Sequence, residues 1–318
     1  MFEKVNPSHP DKVADRISGA IVDHCYAHSE GGWLKSNPRV AVEVLLGHGK
    51  CYVMIETSCT RAELSCNDVD DIVHRIVGDV EIFVTICNQD PELSKNQKDG
   101  IKVGDNGIFR GCAPTYEQKV LTAMAASIYE RWPYDGKYIF NNVRFTVDGT
   151  KDDGKHGWIC TDLTVCQSNA TEEEIWKHLQ SLKPKTFKEC PDVDFTFHFH
   201  DLRVNPLGEW TGGPDVDCGA TNRKLGSDMG EGVTGGGLHG KDLSKGDVSI
   251  NIVCFLKAVQ SGQTVTACCS IGDEQVTFVY AGGKTETVTF RDVVEMARLY
   301  ILTVGGFEKF SEWGLVRP

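Results

Sequence analysis

From Pro206 to Ser249 the chain carries twelve glycines, five aspartates and four lysines or arginines among few large apolar side chains. A run of this composition cannot build a hydrophobic core of its own. The remaining chain must supply the core, and the run must serve something other than packing. Glycines let backbone amides come close to a ligand, and Arg223, Lys224, Lys241 and Lys245 supply cationic donors. Asp217 and Asp247 add carboxylates suited to a hard cation or to polar substrate groups. The combination points to a bound polyphosphate with its metal.

Charge makes that local reading sharper. The 318 residues carry a formal net charge of −12, with 40% hydrophobic and 25% charged residues. An acidic chain lacks the broad basic surface of a sequence-independent nucleic-acid binder, so four cations gathered in one run read as a local anion site. The length allows two domains, or one large domain made of similar subdomains. Thirteen cysteines occur with no CxxC pair and an odd count, which predicts reduced, mostly buried thiols in a cytoplasmic protein rather than disulfides or a zinc site. No apolar N-terminal segment resembles a signal peptide, and no run reaches the roughly 18 apolar residues of a membrane span.

Strand and helix patterns alternate along the chain. Residues 39–46 and 50–57 read as a hairpin around Gly47-His48-Gly49, followed by a helix over 68–77 and a strand over 80–86. A helix is expected over 114–131, strands near 143–147 and 157–166, and a helix from Thr171 with a Thr-Glu-Glu-Glu capping-box start. Strands are then expected at 195–204, 264–270 and 275–280, and helices near 244–258 and 289–302. No sequence repeat is visible. Strand runs with helices to one side predict an α+β fold rather than a parallel nucleotide-binding sheet. Gly235-Gly236-Gly237 lacks dinucleotide-loop spacing, and Gly240-Lys241 is followed by Asp rather than Ser or Thr, so neither common phosphate fingerprint fits.

Ser8-His9-Pro10-Asp11-Lys12 precedes Val13, Ile17, Ala20 and Ile21 at helical spacing. Ser8 suits a cap and Pro10 an early helical position. Asp11 then either completes a capping box or, with His9, meets phosphate and its Mg²⁺ at a helix N-terminus. The segment HPDKVADRISGAIVD resembles the opening signature of the S-adenosylmethionine synthetases (methionine adenosyltransferases). Val103-Gly104-Asp105-Asn106-Gly107 resembles that family's GDQG segment, with Asn106 for Gln. GGPDVDCGATNRK followed by GGGLHGKDLSK resembles its GGP–D–G–T–GRK and GGG–GKD–SK loops. Three such segments in the right order extend the similarity, with gaps, from Glu3 to about Pro318.

The resemblance implies a transferase that forms S-adenosylmethionine from ATP and L-methionine and cleaves the expelled tripolyphosphate to phosphate and pyrophosphate. It implies an α+β fold of three similar subdomains about a pseudo-threefold axis, approximately 10–100, 113–206 with 1–9, and 207–318. It also implies a homodimer packed sheet against sheet, with tetramers possible and active sites built from both subunits. His9, Lys137, Arg223, Lys224 and Lys241 would lie on the phosphate chain. Asp135 and Lys137 come from Pro133-Tyr134-Asp135-Gly136-Lys137, which matches the family's P-D-x-K segment but for one inserted residue. Asp11 and Asp247 would hold Mg²⁺, two ions per site, and Glu43 would hold K⁺. Glu56, Gln97, Asp105, Lys245 and Ile271 would form the methionine pocket, Asp217 would contact adenosine and the amino acid, and Trp210 would stack on adenine. Read from composition alone, Glu43 and Glu56 are the solvent face of a hairpin, Lys137 an exposed turn lysine, and Trp210 a loop-packing ring. His198 and His200 alternate on one strand with no third ligand spaced for a metal.

Three features depart from the family pattern. The segment between Gln97 and Asp105 is shorter than the usual active-site loop, Val248-Ser249 stands where Arg-Ser is usual, and the chain ends at Trp313-Gly314-Leu315-Val316-Arg317-Pro318, short of the usual C-terminal segment. Two other functions fit a trimmed scaffold: a tripolyphosphatase with weak synthesis, and a non-catalytic regulatory subunit of a full-length synthetase.

Overall fold

The computed structural model describes residues 1–92, 101–147, 156–182, 194–234 and 236–318. Its mixed α+β architecture contains three four-stranded sheets among the described residues. The first has the order β1 (Phe2–Val5), β6 (Gly136–Val147), β7 (His156–Gln167), β8 (Asp194–Val204). The second runs β4 (Glu81–Asn88), β3 (Lys50–Thr57), β2 (Val40–Gly47), β9 (Gly219–Ala220). The third runs β12 (Thr285–Thr289), β11 (Gln275–Tyr280), β10 (Val265–Cys269), β5 (Gly107–Gly111).

Two of these sheets share a wiring. The antiparallel pair β2–β3 is followed by helix α3 (Cys66–Val77) and by β4 parallel to β3. The antiparallel pair β6–β7 is followed by α5 (Glu172–Ser181) and by β8 parallel to β7. A helical crossover is what a parallel neighbour requires. In each case the first strand of the pair takes an antiparallel fourth strand, β9 on β2 and β1 on β6. The third sheet is antiparallel throughout.

Local chemistry explains most boundaries. The β2–β3 turn places His48 at φ 52 and Gly49 at φ 73, the positive values that a two-residue turn matched to strand twist requires. Full capping boxes start α3 at Ser65/Asp68, α4 (Tyr116–Arg131) at Thr115/Gln118, and α5 at Thr171/Glu174. Thr289 caps α8 (Phe290–Val304), and Gly262 and Gly305 close α7 (Gly246–Ser261) and α8 in left-handed conformations. Helix α1 (Pro10–His28) begins at Pro10, and the Ser8 hydroxyl, expected to cap it, donates instead to the Pro133 carbonyl at 3.0 Å. The remaining α-helices among the described residues are short: α2 (Gly32–Lys35), α6 (Leu225–Met229) and α9 (Phe307–Trp313).

Chain contacts define two compact units. One comprises Met1–His9, Pro114–Gly213 and Val316–Pro318, the other Pro10–Ala113 and Pro214–Leu315. In the first, Val120, Leu121, Met124 and Ile128 of α4 are buried, as are Tyr138, Phe140, Leu163 and Val165 of the sheet. In the second, α1 packs on β2 and α9, and α7 packs on β5, β10 and α8. Its core takes Ile17 and Ile21 of α1, Val42 and Val44 of β2, and Ile250 and Val253 of α7.

The glycine-rich run is not the coreless loop its composition predicts. Leu238 and Leu243 are fully buried, and so, nearly, are Asp228, His239 and Asp242. Most of 206–218 stays exposed, whereas 227–229 and 237–249 are buried largely through polar groups, and hydrogen bonds make that burial possible. The thiols also differ from expectation. Cys25, Cys51, Cys59, Cys254 and Cys269 are buried, but Cys66, Cys87, Cys218 and Cys268 are exposed, and all cysteines among the described side chains are free. Among the described residues no helix is long and apolar enough to cross a membrane.

Candidate functional site

The first turn of α1 carries Asp11, which is 1% exposed. Strand β9 lies directly against this turn. A Cβ on Gly219 would stand 2.2 Å from the carbonyl of Pro10, so only glycine permits the approach. The Ala220 amide then donates to Asp11 Oδ1 at 2.9 Å. Past Asn222, which turns the chain at φ 62, come two of the run's four cations. Arg223 lies 3.6 Å from Asp11 Oδ1 and Lys224 Nζ 3.2 Å from Oδ2. A helix N-terminus flanked by lysine and arginine is a setting that favours an anion.

A second carboxylate sits in the first turn of α7. Asp247 Oδ2 accepts from the Gly237 amide at 3.2 Å and from Lys241 Nζ. The Lys241 backbone bridges to Ala41, which fixes the lysine beside β2. Lys245 immediately precedes α7 and shares a small cleft with Glu56, Arg39 and Gln89. Glu43 projects from the exposed face of β2 and accepts a hydrogen bond from the Thr221 hydroxyl. Asp217 is exposed beside the β2–β3 turn, where its Oδ1 accepts from the Cys218 amide at 2.8 Å. Asp105 and Ile271 are neighbours: Asp105 Oδ1 accepts from the Asn106 amide at 2.7 Å, and Asn106 Oδ1 from the Ile271 amide at 2.8 Å. Gln97 lies outside the described residues, as do the side chains of His198 and His200.

Beneath Asp11 is a charged layer that the sequence reading missed. Lys12 Nζ lies 2.6 Å from Asp228 Oδ2, 3.1 Å from Asp15 Oδ2 and 3.4 Å from His239 Nε2. His239 Nε2 is 2.7 Å from Asp228, and its Nδ1 is 3.0 Å from the Ser311 hydroxyl. All four charged or titratable side chains are essentially buried. Burial alone would lower the Lys12 pKa, but the Asp228 and Asp15 carboxylates outweigh it and hold the ammonium above its ordinary value. Asp15, Asp228 and His239 cluster closely enough for a metal, yet the ammonium of Lys12 already stands within reach of all three. Here the buried Lys12 ammonium balances the charge of the two carboxylates. A charged pair at Lys12 and Asp15, spaced i,i+3 beside Val13, Ala14 and Ile17, was the available signal.

The other unit holds His9, Asp135, Lys137 and Trp210. His9 is buried at the end of its first segment, its amide donating to the Asn6 carbonyl at 3.1 Å. Asp135 is buried and accepts from the Gly213 amide at 3.3 Å. Lys137 is not a turn residue but stands at the start of β6, paired with Val5 and Cys166, with its ammonium 5.6 Å from the centre of the Trp210 ring. Trp210 Nε1 donates to Asn205 Oδ1 at 3.2 Å, and Asn205 Nδ2 donates to the carbonyls of Gln167 and Ala170. Asn205 therefore fixes the indole, and it too was missed.

The family model for the S-adenosylmethionine synthetase N-terminal domain matches residues 1–90. An S-adenosylmethionine synthase of Pelagibacter ubique is 30% identical over 282 residues, covering 78% of this chain and 69% of that protein. One of Acidiphilium cryptum is 28% identical over 306 residues, covering 84% of this chain and 73% of its own length. One of Mycoplasma mycoides is 29% identical over 288 residues, 79% of this chain and 70% of that protein.

Proposed function

This chain belongs to the S-adenosylmethionine synthetase family, and from that premise we propose that it joins ATP to L-methionine, forming S-adenosylmethionine, and hydrolyses the expelled tripolyphosphate to phosphate and pyrophosphate. One observation carries the proposal: Arg223 and Lys224, from the glycine-rich run, meet Asp11 at the start of α1. Lys241 on Asp247 at the start of α7 repeats the arrangement. Cations beside carboxylates at helix starts are the groups that a triphosphate with its metal requires.

In this reading the methionine sulfur attacks C5′ of ATP, the new S–C bond forms, and the C5′–O bond breaks with its electrons passing to the tripolyphosphate. A thioether has no proton to lose, so no general base is needed. The protein contributes in-line positioning and stabilisation of charge on the leaving group. His9, Lys137, Arg223, Lys224 and Lys241 hold the phosphate chain, with Asp135 and Trp210 on the nucleoside side. Glu56, Gln97, Asp105, Lys245 and Ile271 receive methionine, and Asp217 contacts both substrates. Asp11 and Asp247 offer the hard carboxylate oxygens that Mg²⁺ takes, and Glu43 with Thr221 offers oxygens to K⁺. Bound there, the ions neutralise phosphate charge. The lysines and arginine now on those carboxylates are the cations that a bound polyanion attracts.

The proposal includes a cytoplasmic homodimer packed sheet to sheet and a division of the larger unit into two subdomains. The dimer is supported by the outer face of the second sheet, where Leu45, Tyr52, Met54 and Phe83 are 52%, 45%, 61% and 41% exposed.

Incubation with ATP, methionine, Mg²⁺ and K⁺, followed by mass spectrometry, should yield S-adenosylmethionine, phosphate and pyrophosphate. No methionine-dependent product at any Mg²⁺ or K⁺ level sinks the reading, and tripolyphosphate hydrolysis alone selects the hydrolase instead. Lys241→Ala should lower turnover by about 100-fold with the fold intact, as loss of one charge-stabilising donor does. An unchanged rate removes Lys241 from the site.

A further inference from the structure

We propose that Asn222 is a positioning residue that sets the spacing of the three backbone segments carrying the phosphate-site charges. The inference rests on the proposed function above. Those segments are the first turns of α1 with Asp11, residues 221–224 with Arg223 and Lys224, and residues 236–241 with Lys241. Asn222 belongs to the second and bonds to both of the others. Its amide donates to Asp15 Oδ1 on α1 at 2.8 Å. Its side-chain Oδ1 accepts from the amides of Leu238 at 2.8 Å and His239 at 2.9 Å, and its Nδ2 donates to the His239 carbonyl at 3.2 Å.

The conformation supports a built clamp. Asn222 sits at φ 62, in the left-handed region where asparagine is tolerated better than most side chains. Gly237 leaves no room to spare, since a Cβ there would stand 2.7 Å from Asn222 Nδ2. The anchors on both sides are themselves held. Asp15 is bonded to Lys12, and His239 to Asp228 and Ser311, all buried. A single side chain thus ties the loop preceding Lys241 to the residue preceding Arg223, over a buried, hydrogen-bonded base. Asn222 need not touch substrate. It decides where the cations stand when substrate arrives.

The test compares the wild type with Asn222→Gly, which keeps the positive φ and the amide bond to Asp15 and removes the side-chain bonds to Leu238 and His239, and Asn222→Asp, which keeps the acceptor for two amides. Asn222→Gly should lower kcat for S-adenosylmethionine formation by about 100-fold, the scale of an ångström-level misplacement. The KM for methionine should stay within about twofold, because the methionine residues ride on other segments. Asn222→Asp should recover about tenfold of that loss through the retained acceptor. Hydrogen exchange should show the Leu238 and His239 amides protected in the wild type and exposed in Asn222→Gly. A kcat within about threefold of wild type overturns the inference, as does a fall in kcat and a rise in methionine KM together. Should Asn222→Gly fail to fold, fast exchange of both amides in the wild type overturns it independently. A wild type that makes no S-adenosylmethionine removes the functional reading itself and the inference with it, and that outcome is distinct from an active wild type with an indifferent variant.

Discussion

Lys12 is buried between two carboxylates and a histidine, and the arrangement is stable only because its charges compensate one another. Removing the ammonium strands Asp15 and Asp228 in a low-dielectric interior. Lys12→Met should therefore cost about 3–5 kcal/mol in urea unfolding, and adding Asp228→Leu should return part of it. Asp23 is a different case. Its oxygens accept from the Phe307 and Glu308 amides at 2.7 and 2.9 Å, yet burial, aided by the Glu308 charge, outweighs those bonds and Arg75 and raises its pKa from 3.8 to about 7. The native state then holds this proton to higher pH than the unfolded chain does. The stability it contributes is fully present below about pH 4 and is lost as pH rises to about 7. Melting temperatures between pH 4 and 8 should fall more steeply for the wild type than for Asp23→Asn; parallel profiles would remove Asp23 as the cause.

Elements that carry their own punctuation are the ones that sequence alone finds. The β2–β3 hairpin, α3, α4, α5 and α8 each have a turn or cap signal in the chain and occur within a few residues of expectation. Strands β1, β5, β9 and β12 were not found, being two to five residues long, a length at which a period is hard to see, although β10, also of five residues, was found. Yet β9, the shortest, places the glycine-rich run against α1. Gly219→Ala should cost about 1–3 kcal/mol through overpacking against Pro10. It should also lower turnover, because Asp11 and the Ala220 amide move with that contact. Unfolding and kinetics measured on one preparation check both, and wild-type behaviour in each would show that the turn accommodates a methyl group.

At the scale of the whole molecule, the outer face of the β4-β3-β2-β9 sheet sets exposed Leu45, Tyr52, Met54 and Phe83 among the charged Glu43, Lys50, Glu56 and Glu81. Leu45 pairs with Tyr52, and Tyr52 stacks on Phe83 at 4.7 Å. If a second copy covers it, Met54→Glu with Tyr52→Glu should convert a dimer to a monomer in light scattering while far-ultraviolet circular dichroism holds. Assembly that persists would place the interface elsewhere. The candidate site is likewise a property of the whole chain. Ala220 and Asp11, which hydrogen-bond, are 209 residues apart.

The sequence by itself determined which groups the chain can offer: cations and carboxylates in a glycine-rich run, a helix opening on His9-Pro10-Asp11, and an α+β alternation, all readable because composition, caps and periodicity are local. Tertiary structure alone decided which charge meets which. It turned part of a run read as coreless into a buried polar layer, set Lys12 between Asp15, Asp228 and His239, and gave Asn222 its partners. Hydrogen bonds between segments some two hundred residues apart leave no periodicity behind, so nothing in the linear order announces them.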